Sequence, residues 1–510
     1  MFNNKKSISP KKESLEINIT DFSKGLNFNK DENILKTNYS VNSYNFIYKK
    51  GVLTDGYGFE TLKCPNYKND NLTEIMFAPD VNLPLNFLMV WFFKVYDKSL
   101  GGRVDKLLYY CEDKGLYYNR IITIGPAIFQ VYDQTLDEKP TFNYNIKING
   151  VDYNLFGSEN MGVYKYDGDN GPEILTNCPS ISSLCEDKGK LFATGIDEKN
   201  YILYHVGTDI TQWTSEVDDF SGKIVMNDDR GKINKLIPFL GYLFAIRDYG
   251  ISKIYHQENR TKFDITHLSL QGNKIYENTV RICGDKMIML TKEGITTFNG
   301  VTTKVLDLGI NELLFNVAND NAVAVFHSGK YYLSCRVNFK DNEKVMCEDV
   351  SGYKNNAIIV LDTETNEYDI IRGVDVISME SIKLNKMDKI VMIMNNLERT
   401  KVIEFNDSGC FYNTIMKKEW VSPLSDLGYS DKIKFIRSIS LLSKYDCKIT
   451  VFTEKESKEY NVLGSNTLNR LRVNLKGKQI GLKIESFTAK AYISNIKLNV
   501  DLLDYGFTKC

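Results

Sequence analysis

Histidine and tryptophan are scarce in this chain, with four histidines and three tryptophans among 510 residues. The histidines, His205, His256, His267 and His327, stand singly beside aromatic or apolar residues. No metal-ligand spacing joins them, so structural positions within strands are expected. The 10 cysteines include no CxxC pair, which disfavours zinc sites of the usual spacing and fits free thiols in a reducing compartment. Charge of either sign is not in excess: 64 Lys and Arg face 65 Asp and Glu. A general coat for nucleic acid is thereby excluded, because such affinity comes from surplus cations neutralising phosphates. A local basic patch stays open.

Long apolar runs are also missing. The most apolar stretch, NFLMVWFFKVY from Asn86 to Tyr96, is about half the length of a membrane helix and is broken by Lys94, so it reads as a core strand and no membrane insertion is expected. The opening MFNNKKSISPKKESLEINIT has no apolar run of signal-peptide kind, and residues 1–18 are expected to form a flexible arm. GxxxxGK[ST], GxSxG and HExxH do not occur, so the chain is not expected to be an enzyme or to hold a cofactor.

What the sequence does have is a repeating hairpin. In GDKMIMLTKEGITTFNG, Gly284 to Gly300, the apolar run Met287 to Leu290 is too short for a stable helix and is followed by Gly294. Glycine there permits chain reversal, Ile295 to Phe298 alternates as an antiparallel partner, and Asn299 with Gly300 signals a second turn. Leu107 to Arg120 and Tyr153 to Gly168 repeat the arrangement. Looser copies occupy 184–207, 236–257, 322–337 with 357–373, and 389–407. Their spacing of roughly 40 to 50 residues is that of four-stranded propeller blades. An all-β chain follows: a β-propeller of about six or seven blades over 19–410, with a long antiparallel sandwich or two stacked β domains as the other arrangement of such hairpins. The 31 tyrosines and 27 phenylalanines favour strands. After Asp407 about six period-two segments read as a small antiparallel β-sandwich over 411–510. In it Ile433, Phe435, Ile439 and Leu441 are expected to face inward and Lys432, Lys434 and Arg437 outward. Arg470, Arg472, Lys476 and Lys478 form a basic cluster, either a solvated strand face or a docking site for an acidic neighbour.

Propellers that hydrolyse glycosides need two carboxylates at a set separation. Asp218 with Asp219 and Asp228 with Asp229 are adjacent pairs, but neighbouring strand side chains point to opposite faces, so Asp228 and Asp229 are expected to be solvated loop charges. YDGDNGPE, Tyr166 to Glu173, resembles an oxygen-rich calcium loop in Asp167, Asp169 and Asn170, yet lacks its spacing and terminal Glu; a blade-tip turn is the simpler expectation. Tyr57, Trp91, Trp213 and Trp420 could stack on sugars if exposed, although strand aromatics are more often core.

The region Ile19 to Leu62 holds an F-x-x-G-L-N element at Phe22 to Asn27, an N-F-x-x-x-x-G-x-L element at Asn45 to Leu53, and Gly56-Tyr57-Gly58. It resembles the opening of β-propeller virion proteins of tailed bacteriophages, with Phe22, Phe46 and Leu53 expected to dock the segment on the propeller. Thr208 to Gly222, Gly231 to Gln257 and Leu268 to Gly300 extend the similarity, so that it covers most of the chain in arrangement. The resemblance implies a structural subunit of the neck, tail nozzle or distal tail hub, assembled in the host bacterial cytoplasm. It implies a ring of identical subunits, with a multiplicity such as six, around a DNA conduit. Contacts with portal or tail proteins, and passage of DNA without sequence-specific binding, follow from that station. A carbohydrate-binding or glycan-cleaving receptor-binding tail propeller is the competing expectation, and a cellular scaffold propeller the third.

Overall fold

The computed structural model describes residues 13–19, 22, 40–49, 51–65, 74–76, 86–97, 102–120, 128–168, 170–194, 200–207, 210, 221–257, 262–268, 273–341, 343–346, 352–384, 387–396, 399–411 and 414–504. Six four-stranded antiparallel sheets follow one another along the chain, each a simple meander. They start with the strands Phe87–Asp97, Phe142–Ile148, Leu184–Asp187, Ile233–Phe239, Arg281–Cys283 and Val323–His327 and are called blades 1 to 6. Blade 7 takes Asp375–Leu384, Met387–Asn396 and Arg399–Asn406 from late in the chain and its fourth strand, Gly58–Thr61, from the beginning, with Phe405 opposite Phe59.

The continuous apolar run in the repeated hairpin now has its reason. In Lys286–Thr291 of blade 5, Met287 and Met289 pack on Phe244 and Ile246 of blade 4, while Ile288 and Leu290 pack on Tyr331 and Leu333 of blade 6. A sheet covered on both faces needs apolar residues at successive positions, not alternate ones. The same interlocking joins blades 1 and 2 through Trp91 and Phe156, 2 and 3 through Leu155 and Leu191, and 3 and 4 through Phe192 and Leu243. Ile358 and Met392 join blades 6 and 7, and Ile393 of blade 7 packs with Tyr109 of blade 1. The ring is therefore closed, and the fold is a seven-bladed propeller with no open edge between first and last blade.

Beside it sits a β-sandwich. One sheet holds Tyr492–Asp504, Lys432–Ser443 and Asn469–Gly477; the other holds Lys418–Val421, Ile480–Ser486, Cys447–Thr453 and Ser457–Val462. Trp420, Ile436, Ile439, Ile449, Ile484 and Ile493 fill the space between them.

The N-terminal boundaries differ from expectation. Residues 13–19 are not an arm: Glu13–Ile19 pairs antiparallel along Tyr492–Asp504, with Leu15, Ile17 and Ile19 alternating inward. Asn42–Tyr44 joins the second sheet and the hairpin Ile47–Lys49 with Val52–Thr54 joins the first. Phe22, Phe46 and Leu53 accordingly lie in the sandwich core rather than on the propeller, Phe22 edge-on to Trp420 at 5.1 Å. Blade 7 also keeps Cys410–Phe411 and Thr414–Ile415, so the C-terminal part of the sandwich begins at Lys418.

A second difference lies within Lys432–Ser443. A bulge between Ile436 and Ser438 shifts the alternation by one residue. Lys434 and Ile436 are thereby buried with Ile439 and Leu441, while Ile433 and Phe435 stay half-buried on the other face. The buried Lys434 ammonium donates to the carbonyls of Tyr429 and Lys432.

Candidate functional site

The basic residues singled out in the sequence share one strand. In Asn469–Gly477, Val473 and Leu475 point into the sandwich and Arg470, Arg472 and Lys476 point to solvent; Lys478 follows, also exposed. The strand ends its sheet, so its outer backbone edge has no partner strand among the described residues. Neighbouring cations are paired, Arg437 with Asp501 and Lys497 with Glu16. Arg470, Arg472 and Lys476 form no ion pair among the described residues, and Lys476 lies opposite the half-buried Phe435.

Several other expectations meet their geometry here. Asp228 is not a solvated charge: it takes the guanidinium of the fully buried Arg247 and lies 3.1 Å from both Arg230 and His267. A guanidinium without access to water requires such a carboxylate, and Asp228 is held below the usual aspartate range, burial being outweighed by the Arg230 amide and Arg247. Asp229 is exposed, as expected. The histidines are in or beside strands, but the fold does bring carboxylates to them: His256 Nε2 meets Asp187 at 2.8 Å across blades 4 and 3. His327 Nδ1 meets Ser381 at 2.8 Å across blades 6 and 7. Asp167 folds onto Asn170, its oxygens accepting that residue's backbone and side-chain amides at 2.8 and 2.7 Å, which is a turn. Tyr57, Trp91 and Trp420 are buried and offer no ring to a sugar; Trp91 instead donates to Asn154 at 2.9 Å. Trp213, Asp218, Asp219 and Asp169 lie outside the described residues.

Sequence reading missed the propeller axis. A cavity of about 600 Å³ is walled by the first strands of the blades and the turns before them, including Val90, Asn143, Ser183, Lys235, Arg281, Val323 and Glu380. Two hydroxyls tie neighbouring inner strands together around it: Ser378 accepts from the Val90 amide and Ser183 from the Leu236 amide, each at 3.1 Å. The axis carries charge of both signs, with Lys139, Lys235 and Arg281 against Glu277 and Glu380. Burial pulls the Lys235 ammonium down to about 7 and pushes the Glu380 carboxyl up to about 7. Lys235, Glu277, Arg281 and Glu380 are half-buried along the cavity wall, while Lys139 stands exposed at its opening.

A raised acid contributes stability below its ordinary range that is lost as pH climbs through its folded value, here about 7. Glu380→Gln is therefore expected to leave the urea midpoint near wild type at about pH 5 and to raise it at about pH 8. An equal shift at both pH values would refute a titrating Glu380.

A third cluster joins the two domains. Glu343, after the second strand of blade 6, meets Glu419 and Glu485 of the sandwich, with their ligand atoms within 4.8 Å of one another. Three carboxylates so close could suit a cation, but Lys417 and Lys483 already occupy the space: Lys417 lies 3.2 Å from Glu419 and 3.1 Å from Glu485, and Lys483 lies 2.9 Å from Glu419. Burial would lower the Lys417 ammonium, but the carboxylates outweigh it and hold it well above its ordinary value. Beside this cluster the buried Arg372 of blade 6 grips both oxygens of Asp341 at 2.7 Å and the Glu343 carbonyl at 2.8 Å, and stacks on Phe339. Asn45 completes the seam. Its backbone has a φ of 62°, and its side chain accepts from the Arg372 amide at 2.9 Å and donates to the Lys417 carbonyl at 2.6 Å.

No protein-family model matches the chain, and no curated protein matches it by sequence. Solved structures similar in strand arrangement include BBS1N in complex with ARL6DN, 8% identical over 68% of this chain and 97% of that one, with a TM-score of 0.42. Raptor from Chaetomium thermophilum is 9% identical over 65% of this chain and 29% of that one, at 0.41.

Proposed function

We propose that this chain is a structural, non-enzymatic subunit of a tailed-phage particle, at the neck, tail nozzle or distal hub. Copies of it form a ring around the DNA conduit, and its sandwich docks portal or tail proteins. The reading starts from the resemblance of residues 19–62 and of the following blades to virion propellers. The observation that carries it furthest is the rigid union of the two domains: strands from one N-terminal segment complete both the sandwich and blade 7, and the carboxylate–lysine cluster with Arg372 fastens the seam. Such a body transmits load without hinging and turns one face, the strand carrying Arg470, Arg472 and Lys476, to a neighbour.

Because the axial cavity has the size of a small-molecule site, several copies rather than one propeller would have to enclose DNA. The formal net charge of −1 suits such a wall, since strong attraction to phosphate would retard the passing duplex. The glycan-binding alternative loses three of its four candidate stacking rings to the core.

Light scattering with negative-stain microscopy tests the proposal. Rings of one fixed multiplicity are expected, alone or on mixing with neck or tail proteins. Arg470→Glu combined with Arg472→Glu should weaken that association about tenfold or more, with a dependence on salt. A chain that stays monomeric alone and with such partners overturns it.

A further inference from the structure

The cavity on the propeller axis holds opposite charges that do not meet. Lys235 from blade 4, Arg281 from blade 5 and Glu380 from blade 7 lie within electrostatic reach of one another. Yet no ion pair joins any two of them among the described residues, and neither the Lys235 ammonium nor the Glu380 carboxylate has a hydrogen-bond partner there. Arg281 spends one donor on the Val280 carbonyl, at 2.7 Å, leaving most of its fork available.

Half-buried charges that stand apart give up part of their hydration without gaining a partner, and that cost would shrink if the side chains collapsed onto each other or were apolar. A seven-bladed ring holds them apart because each projects from a different blade, and the space between them is about 600 Å³, within the range of small-molecule sites. Charges kept separate at a cost in stability mark a site built for something that bridges them. A simple anion would satisfy Arg281 and Lys235 but face Glu380 and Glu277; a simple cation would meet the reverse.

We infer that the axial cavity binds a compact zwitterion, with its acidic end on Arg281 and Lys235 and its protonated amine on Glu380. The acidic end is a carboxylate or a phosphate, and the inference stands apart from the virion reading.

Isothermal titration of the full chain tests it with γ-aminobutyrate and phosphoethanolamine as zwitterions and with inorganic phosphate and ethanolamine as single-ended controls. At least one zwitterion should bind saturably, with the controls about tenfold weaker or more, and whichever zwitterion binds assigns the acidic group. Arg281→Gln and Glu380→Gln should each weaken binding about tenfold. Glu380→Gln is expected to be at least as stable as wild type at neutral pH, and its urea midpoint separates lost binding from lost folding. No saturable binding by either zwitterion, controls that bind as tightly, or variants that keep full affinity would overturn the site.

Discussion

Phe59→Ala should lower the stability of the whole chain by about 3–5 kcal/mol, the cost of emptying a large buried ring site. Phe59 is fully buried in Gly58–Thr61, with its ring 4.8 Å from that of Phe405 and 6.1 Å from that of Phe411. Its position matters as much as its volume. The strand is only four residues long, and it covers the outer side of Arg399–Asn406. Without its anchor ring the strand detaches, blade 7 is left with an unpaired edge, and the ring can open at the contact with blade 1. Urea unfolding followed by near-ultraviolet circular dichroism measures the loss, and limited proteolysis should show new cleavage near 399–411. A loss of unfolding free energy below about 0.5 kcal/mol would mean that the ring does not depend on this closure.

Arg372→Ala is expected to be comparably severe, about 3–5 kcal/mol, because removing one member of a buried ion pair strands the other. The guanidinium is 1% exposed, satisfies both Asp341 oxygens, and lies 4.0 Å over the ring of Phe339 and 5.1 Å over that of Tyr44. The double variant Arg372→Met with Asp341→Asn removes both charges and keeps volume, so it should recover much of the loss. Burial raises the Asp341 carboxyl, but Arg372 outweighs it and holds the group below the ordinary aspartate range. Stability from a depressed acid is present above that range and is lost as pH falls through the folded value. The gap between wild type and Arg372→Ala should therefore narrow on strong acidification. A gap that stays constant would remove Asp341 from the account.

How far the residues reveal these features depends on how local the physics is. The blades were legible because each hairpin carries its own signal: a short apolar run, glycine at the reversal, then a partner strand. Lys286–Thr291 with Gly294–Phe298 shows this, and even the doubly covered run Met287 to Leu290 is written in consecutive apolar residues. The destination of a strand is not local. Leu15, Ile17 and Ile19 alternate with polar residues, but the surrounding charge reads as an arm, and nothing in the segment says that its partners are Val500 and Leu498 at the other end of the chain. Lys434 defeats alternation because one bulged residue reverses the inward phase. The axial site was invisible for the same reason. Lys235, Arg281 and Glu380 are each an ordinary charge near a strand, and only closure of the ring gathers them. The basic face was legible, since Arg470 and Arg472 alternate with apolar residues within one strand.

The pairing of the first strand with the last also sets a schedule for synthesis. On the ribosome, Glu13–Ile19 emerges early and must wait for Tyr492–Asp504, while Gly58–Thr61 waits for Arg399–Asn406. Blades 1 to 6 can form as they emerge, the propeller closes once Arg399–Asn406 is made, and the sandwich is complete only with Tyr492–Asp504. A nascent chain that terminates before Tyr492 lacks the strand that pairs with Lys432–Ser443, Val52–Thr54 and Glu13–Ile19 at once, and so leaves its own N-terminal strand without its partner.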